Sequence, residues 1–263
     1  MKKLKRIIPA VLSLALLLSA FNGCKQGAKQ QEGEEGTQEQ EEMLNQLTQE
    51  EKDNSWKLLF NGENFEDWRA YNSESFPESQ WVIEDNAMKC LGSGQGEAAG
   101  EAGDIIYDQK FKDFHLKFEW KISKGGNSGV FYLAKEIPDE PIWKSSPEFQ
   151  ILDNANHIDA NRGKNGNRKA ASLYDLIPAD PQNTKPYGEW NQAEIMVYEG
   201  TVIHRQNGED VVEYHLGTDD WNEMINNSKF SEFEEFGKYR NGYIGLQDHG
   251  NDVWYRNVKI KEL

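Results

Sequence analysis

Alternating apolar and polar residues run through the segment FHLKFEWKI, residues 114–122. Every even-numbered position is apolar, and every odd-numbered position is polar or charged. This period of two is the pattern of a β-strand that buries one face and leaves the other face polar. A Gly-Gly-Asn-Ser-Gly turn and a second apolar run, residues 129–134, follow directly. The two runs are therefore predicted to pair as a hairpin.

Similar short runs continue to the C-terminus and are separated by Gly, Asn and Pro. The further predicted strands are 148–152, 192–198, 201–206, 211–216, 242–247 and 253–263. The pairs Glu199-Gly200 and Asn207-Gly208 occupy two-residue turn positions, which predicts a three-stranded meander over 192–216. A helical pattern is found only near 219–230. This arrangement is typical of an all-β sandwich or barrel.

The N-terminus has a different pattern. Four basic residues precede an apolar run at 7–20, which indicates an export signal that is too short for a membrane span. Gly23 before Cys24 fits a lipobox, so segment 1–24 is predicted to be a signal peptide whose Cys24 accepts a lipid. Ordinary signal-peptide cleavage is the alternative. The expected location is the bacterial outer membrane, with the protein anchored by its lipid and facing the periplasm or the cell surface.

Segment 25–53 holds nine carboxylates and three lysines. It cannot bury enough apolar surface to offset the entropy of ordering, so it is predicted to be a flexible acidic tether to a single domain at 54–263. The formal net charge of -16 argues against nucleic acid and anionic membrane surfaces as partners, because binding phosphates requires clustered Lys and Arg. If Cys24 is acylated, Cys90 has no partner for an internal disulfide.

The segment PEFQILDN contains the first candidates for chemistry. Glu148 and Gln150 share one face of a strand, and a bulge after the strand would bring Asp153 to the same side. Paired carboxylates suit acid-base chemistry on a sugar, because one can stay protonated while the other stays charged. An ordinary strand with a solvent-facing polar side is the alternative.

Two further segments add histidines. His157 lies four residues after Asp153, and the segment LQDHG places Gln247, Asp248 and His249 at a predicted strand end. A histidine near carboxylates can act as a base near neutral pH or ligate a metal. Each histidine alone is equally compatible with a surface loop.

Other kinds of site have less support. No HxH, HExxH or cysteine-rich pattern is present, so the sequence gives a catalytic transition-metal site only weak support. Calcium held by Asp153, Asn154 and Asp159 is an alternative, although such residues are also common in turns. The glycine cluster at 92–104 is predicted to be a mobile loop, since it is followed by neither a lysine nor a helix. Trp143 is the aromatic residue expected to be exposed for stacking on a sugar.

Eight segments stand in order between Trp56 and Leu263: WKLLFNGENFEDW, WVIEDNAMKC, FEWKISKGGNSGVFY, PEFQILDN, SLYDLI, GEWNQAEI, NGEDVVEY and GYIGLQDHGNDVWYRNVKIKEL. Together they resemble the 3-keto-disaccharide hydrolase family. The resemblance implies a fold similar to the concanavalin-like lectins and glucanases. Such a fold is an all-β jelly-roll β-sandwich of two curved antiparallel sheets that binds its ligand on the concave face.

The resemblance also implies cleavage of glycosides that have first been oxidised at C3. The ketone acidifies the C2 proton, a base removes this proton, the C1 substituent leaves, and water then adds to the product. The candidates for the base and the acid are Glu148, Asp153, His157, His249 and Glu119. The candidates for substrate binding are Lys121, Asn127, Gln150, Gln247, Asp248, Trp143, Tyr132 and Tyr174.

Within this scheme Lys121 or Asn127 would stabilise the enolate oxygen, and Glu119 and Lys121 would lie on the concave side. No cofactor is expected except a divalent metal, calcium or another, as an optional participant. A non-catalytic carbohydrate-binding module on the same sandwich is the first alternative. The second is a glucanase with two carboxylates flanking an unoxidised bond, which Gln150 disfavours because an amide cannot exchange protons.

Overall fold

The computed structural model describes residues 44–93 and 103–263, and the strands in this part of the chain form two antiparallel sheets. The strands of the larger sheet are β1 (Lys57–Leu58), β3 (Trp81–Glu84), β4 (Ala87–Cys90), β6 (Phe114–Ile122), β9 (Asn191–Tyr198), β10 (Thr201–Gln206), β11 (Glu209–His215) and β13 (Val253–Glu262). Those of the smaller sheet are β2 (Trp68–Ala70), β5 (Ile105–Phe111), β7 (Asn127–Ala134), β8 (Glu148–Leu152) and β12 (Gly242–Leu246). The helices are α1 (Gln49–Asp53), α2 (Asp219–Asn226) and the 3-10 helices Ile142–Lys144, Ile158–Asn161 and Lys229–Glu232. The expected all-β sandwich is confirmed.

The strand order is β11-β10-β9-β6-β13-β4-β3 in the larger sheet, where β1 also pairs with β13, and β2-β5-β12-β7-β8 in the smaller one. Residues 171–174 run along the edge of β8 that pairs with no other strand of the sheet. There the Gln150 N–H donates to the Ser172 carbonyl, and the Tyr174 N–H donates to the Glu148 carbonyl, each at 3.1 Å. The edge of β8 is therefore hydrogen-bonded as well, which holds this strand in place.

The predicted alternation of β6 and the two predicted meander turns are confirmed. β6 occupies the whole predicted segment, and its apolar face is buried in the core between the sheets. At the two meander turns the first residue also has a positive φ, 48° at Glu199 and 49° at Asn207, followed by glycines at 87° and 88°. Two successive positive φ angles define the turn that matches the twist of a β-hairpin, and β9, β10 and β11 pair in sequence.

The predicted hairpin between β6 and β7 is wrong. β6 pairs with β9 and β13 in the larger sheet, whereas β7 pairs with β8 and β12 in the smaller one. The turn at 123–126, in which Gly125 has a φ of 67°, carries the chain across the sandwich. The apolar faces of the two sheets then meet in the core, where Phe118 of β6 packs edge-on against Phe149 of β8 at 5.5 Å between ring centroids.

The folded unit includes the last residues of the predicted tether. Asn45 and Asn257 each donate a backbone N–H to the side-chain oxygen of the other, at 2.7 and 2.8 Å. Thr48 and Glu51 form a capping box at the start of α1. The predicted signal segment with Cys24, the tether up to residue 43, and residues 94–102 of the glycine-rich loop lie outside the described residues. No helix within residues 44–93 and 103–263 has the length and apolar character to span a bilayer.

Candidate active site

A cavity of about 380 Å³ opens on the outer face of the smaller sheet. β7 contributes Asn127, β8 contributes Glu148 and Gln150, and the segment after β12 contributes residues 247–249. The remaining lining residues are Asp104, Trp143, Ser146, Tyr174, Lys229, Phe230, Glu232 and Phe233. The volume lies within the range of about 300–1,000 Å³ that is usual for small-molecule sites. Adjacent strands thus bring together groups that are distant in sequence.

The alternation along β8 directs its polar residues into this cavity. Phe149 and Ile151 belong to the core between the sheets, whereas Glu148 and Gln150 line the cavity. Gly129 of the neighbouring β7 lies beneath the Glu148 side chain, and a Cβ at this position would be 2.3 Å from Oε1 of Glu148. The last glycine of the GGNSG turn is therefore required by the close approach of the carboxyl group.

Glu148 is the most perturbed carboxyl group of the cavity. Only 7% of the residue is exposed. Burial raises the pKa of Glu148 to about 8, although the positive charge of Lys229 acts in the opposite direction; the negative charge of Asp159 adds to the increase. A carboxyl group with this pKa exchanges its proton near neutral pH, which suits a general base or acid.

A chain of hydrogen bonds sets the tautomer of His249. The Ile151 N–H can only donate, and it donates to Oε1 of Gln150 at 3.1 Å. Nε2 of Gln150 then donates to Oδ1 of Asn127 at 3.3 Å, and Nδ2 of Asn127 donates to Nε2 of His249 at 3.2 Å. Because Nε2 of His249 is the acceptor, the proton of the neutral ring is on Nδ1.

Two buried polar atoms of cavity residues have no hydrogen-bond partner in the described part of the chain. They are Nδ1 of His249, a donor in this tautomer, and Oε1 of Gln247, an acceptor. Buried donors and acceptors are normally paired, because an unpaired group costs about 1–3 kcal/mol. In chemical type this donor and this acceptor match the hydroxyl groups of a sugar, which can both donate and accept, although both atoms are covered from solvent.

Asp248 is held by its neighbours at one end of the cavity. Its backbone N–H donates to Oδ1 of Asp104 at 2.8 Å, and its own Oδ1 accepts from the Gly250 N–H at 2.9 Å. Burial raises the pKa of Asp248, whereas the hydrogen bond from Gly250 lowers it. Asp248 is thus a fixed acceptor beside His249.

Aromatic rings line another part of the cavity. Trp143 and Phe233 pack edge to face at 5.1 Å between ring centroids, and Phe230 and Tyr174 complete this set. Rings of this kind stack on sugar faces. Trp143, which was predicted to be exposed, is half-buried in this lining. The sequence offers no signal for Lys229, Phe230 or Phe233, because the pattern near 219–230 predicts only a helix and Phe233 lies beyond it.

The family model described as a 3-keto-alpha-glucoside-1,2-lyase-like domain matches residues 55–261. The chain belongs to this family. The resemblance inferred from the eight sequence segments is thereby confirmed.

Relatives of the lyase-like family agree with this assignment. A protein from Bacteroides thetaiotaomicron named 3-keto-disaccharide hydrolase is 52% identical over 225 residues, which cover 78% of this chain and 77% of the relative. A crystal structure at 1.70 Å resolution from Parabacteroides distasonis, described as a candidate glycosyl hydrolase, shares 30% identity with a TM-score of 0.73 and covers 84% of this chain and 99% of its own. A second structure from the same organism, with the same description, shares 26% identity with a TM-score of 0.60 and covers 80% of this chain and all of its own.

Membership of the lyase-like family makes this chain a glycoside-cleaving enzyme, and the expectation of an enzyme rather than a binding module is confirmed. The cavity brings together eight of the residues singled out from the sequence. They are Asn127, Trp143, Glu148, Gln150, Tyr174, Gln247, Asp248 and His249.

Glu119 and Lys121, which were expected to face the ligand, lie elsewhere and do not line this cavity. Both are on the outer face of the larger sheet, on the opposite side of the sandwich. Oε2 of Glu119 accepts from Nε of Arg256 at 2.7 Å, and Nζ of Lys121 lies 5.0 Å from the ring centroid of Trp190 and 4.5 Å from that of Trp254. The polar face of β6 points away from the cavity because its apolar face covers the core.

Tyr132 is also absent from the cavity lining of the lyase-like domain. It is fully buried between the sheets, where its hydroxyl group is 2.7 Å from both Nε2 of His204 and the hydroxyl group of Tyr214. Alternation along β7 explains the difference, because Asn127 and Tyr132 are an odd number of residues apart and point to opposite faces.

Asp153 and His157 organise the loop after β8 rather than line the cavity. The Asp153 carboxylate accepts from the Gly125 N–H at 2.7 Å, from the Ala155 N–H at 3.1 Å and from Nδ2 of Asn156 at 2.7 Å. Nδ1 of His157 accepts from the Asp159 N–H at 3.1 Å. β8 ends at Leu152, so no bulge turns Asp153 back towards Glu148.

The residues considered for calcium have protein partners. Oδ1 of Asn154 accepts from the Ala170 N–H at 2.9 Å, and the Asp159 carboxylate accepts from Arg168 at 3.0 Å and from the Tyr174 hydroxyl at 2.8 Å. Within residues 44–93 and 103–263, no group of three or more His, Cys, Asp or Glu side chains is arranged to hold a metal ion.

Proposed function

We propose that this enzyme cleaves glycosides whose sugar carries a ketone at C3, with Glu148 as the base and His249 as the acid. The observation that carries this proposal is the buried Glu148, whose pKa is raised to about 8, in one cavity with the unpaired Nδ1–H of His249. The name of the Bacteroides relative, 3-keto-disaccharide hydrolase, supports the same substrate class.

Elimination is the first half of the proposed reaction. The Glu148 carboxylate takes the proton from C2, and the electron pair of the broken bond forms an enolate with the C3 carbonyl. The C3 carbonyl then re-forms, a double bond forms between C1 and C2, and the bond between C1 and the leaving oxygen breaks. The Nδ1–H of His249 donates its proton to that oxygen, so an alcohol rather than an alkoxide leaves. The negative charge passes to the imidazolate of His249, which keeps the hydrogen bond from Nδ2 of Asn127 to its Nε2.

Hydration is the second half, and it reverses these roles. The water oxygen bonds to C1 while His249 takes back a proton from the water. The protonated Glu148 returns its proton to C2. Both side chains regain their starting states, and the net change is hydrolysis of the glycosidic bond without an external oxidant or reductant.

The high pKa of Glu148 has two opposing effects on this chemistry. At pH 7 about a tenth of a group with this pKa is ionised, which limits the fraction of active enzyme. The ionised form is, however, a stronger base than an ordinary carboxylate. A proton beside a ketone is weakly acidic, so a base with a pKa near the working pH suits it better than an unperturbed glutamate.

The test compares a 3-keto-disaccharide with its unoxidised parent. Wild-type enzyme should cleave only the oxidised sugar, and Glu148→Gln should lower kcat by about 10³-fold, because the amide cannot accept the proton. Glu234→Gln is the matched control, since that side chain is 87% exposed. Cleavage of the parent sugar alone, or full activity of Glu148→Gln, would contradict the proposal.

We also propose that the enzyme is exported and anchored by a lipid on Cys24. The support is sequence alone: the basic and apolar segments before Gly23-Cys24 and the acidic segment after them. Metabolic labelling with a palmitate analogue should label the wild-type chain in a bacterial host and should fail to label Cys24→Ser. Labelling that persists in Cys24→Ser would exclude this anchor.

A further inference from the structure

The proposed elimination places negative charge on the C3 oxygen before the leaving group departs. In a cavity partly closed to water, this charge needs a nearby cation or hydrogen-bond donor, and removing such a group from an enzyme typically costs about 10²–10³ in kcat. Lys121, the lysine expected for this role, lies on the other side of the sandwich between Trp190 and Trp254. The cavity contains a different lysine.

Lys229 begins the 3-10 helix Lys229–Glu232 and lines the same cavity as Glu148. Ser228 caps this helix by accepting from the Phe230 N–H at 3.0 Å, and Phe230 is buried by stacking on Phe236 at 3.9 Å between ring centroids. The backbone of Lys229 is therefore held on both sides, although the residue itself is exposed to solvent.

The ammonium group of Lys229 has no carboxylate within ion-pair distance and no hydrogen-bond acceptor in the described part of the chain. Its nearest defined contact is the ring of Tyr174, with Nζ 4.2 Å from the centroid. An aromatic face attracts a cation without occupying its N–H donors. The three donors of Lys229 are thus free to contact a ligand oxygen in the cavity.

The electrostatics link this lysine to the proposed base. Desolvation raises the pKa of Glu148 and lowers the pKa of Lys229, and the attraction between the two opposite charges opposes both shifts. When Glu148 takes the C2 proton, its charge is neutralised and a new negative charge arises on the substrate. The ammonium group of Lys229 can then stabilise the negative charge on the substrate instead of the charge on Glu148.

We propose that Lys229 binds the C3 oxygen of the oxidised sugar and stabilises the enolate that forms when Glu148 removes the C2 proton. This role rests on the proposed function. A ketone oxygen only accepts hydrogen bonds and an ammonium group only donates them, so the two match. The contact becomes charge-assisted once the enolate forms, and it therefore stabilises the transition state more than the bound substrate.

The test uses the full-length enzyme and a 3-keto-disaccharide. Lys229→Met should lower kcat by about 10²-fold with little change in KM, and Lys229→Arg should recover part of this loss because it keeps the positive charge. Lys238→Met is the matched control; its side chain is 55% exposed, and it does not line this cavity. The primary isotope effect on kcat with substrate deuterated at C2 should be larger in Lys229→Met than in wild type, because proton removal becomes slower.

The outcomes separate this role from the proposed function. A wild-type enzyme that cleaves no 3-keto-disaccharide would overturn both. An active wild type with an equally active Lys229→Met, or an equal loss in Lys238→Met, would overturn the role of Lys229 alone. The role of Lys229 would also be overturned if a chelator abolished wild-type activity and calcium restored it, since a metal would then supply the positive charge. A borohydride-trapped adduct on Lys229 would replace the proposed contact by a covalent imine.

Discussion

Replacing Gly129 with alanine tests whether the position of the Glu148 carboxyl group determines activity. The new Cβ would lie 2.3 Å from Oε1 and 2.7 Å from Cδ of Glu148, whereas real Cβ contacts are essentially never below 3.0 Å. Oε1 must therefore move by at least about 0.7 Å. Gly129 is not among the residues with positive φ, so the backbone itself accepts alanine and the contact alone is tested.

The expected effect is a loss of activity larger than the loss of stability. A misplacement near 1 Å of a catalytic group costs about 10²-fold in rate, so kcat should fall roughly 10- to 100-fold. Overpacking of this kind costs about 1–3 kcal/mol of unfolding free energy. A domain of this size should still be folded at 25 °C.

The assay measures kcat and KM on a 3-keto-disaccharide at pH 8, with urea unfolding in parallel. Gly208→Ala is the control, because its new Cβ would meet no atom within 4 Å, while a φ of 88° strains the turn. It should lose about 1 kcal/mol of stability and keep its kcat. A Gly129→Ala enzyme with wild-type kcat would refute the claim that this glycine positions the carboxyl group.

Three further predictions concern protons and charges. The Glu148 carboxyl holds its proton up to about pH 8 in the folded chain against a reference value of 4.5, so the folded state binds more protons between these pH values and stability falls as pH rises through them. In thermal melts, the melting temperature of Glu148→Gln should therefore rise relative to that of wild type from pH 5 to pH 8. A difference between the two melting temperatures that does not change with pH would count against the raised pKa. His249→Gln, and to a smaller degree Asn127→Leu, should slow cleavage of 3-keto-disaccharides by about 10²-fold but slow a 3-keto 4-nitrophenyl glucoside much less, since nitrophenolate leaves without a proton; equal losses on both substrates would exclude His249 as the acid. Glu119→Gln should cost about 1–3 kcal/mol in urea unfolding, because it weakens a mostly buried pair with Arg256, and should leave kcat/KM unchanged; a drop in kcat/KM without a loss of stability would contradict its position away from the cavity.

Several features of the site and of the fold could be predicted from short stretches of sequence. The alternation in EFQIL places Glu148 and Gln150 on one face of β8, and both line the cavity. The two-residue turns at Glu199 and Asn207 have the predicted backbone conformation. In each case the relevant interactions span only a few residues, so the local pattern suffices.

Other parts of the site depend on contacts between distant segments. The polar face of β6 could in principle face a ligand, but the pairing of β6 with β9 and β13 directs Glu119 to the opposite side of the sandwich. Alternation along β7 places Asn127 and Tyr132 on opposite faces, and the packing of the two sheets decides which of these faces is buried in the core. The segment that carries Lys229 has no alternating pattern at all, and its position follows from aromatic packing against residues outside its own helix.

The sequence by itself determined the strand pattern, the two meander turns and the polar face of β8, because these follow from backbone geometry and side-chain period within a few residues. Only the tertiary structure decided which sheet each strand joined, and hence which carboxylate and which lysine share the cavity. The physical reason is that an apolar face specifies burial without specifying its partner. That partner is selected by the packing of the whole sandwich.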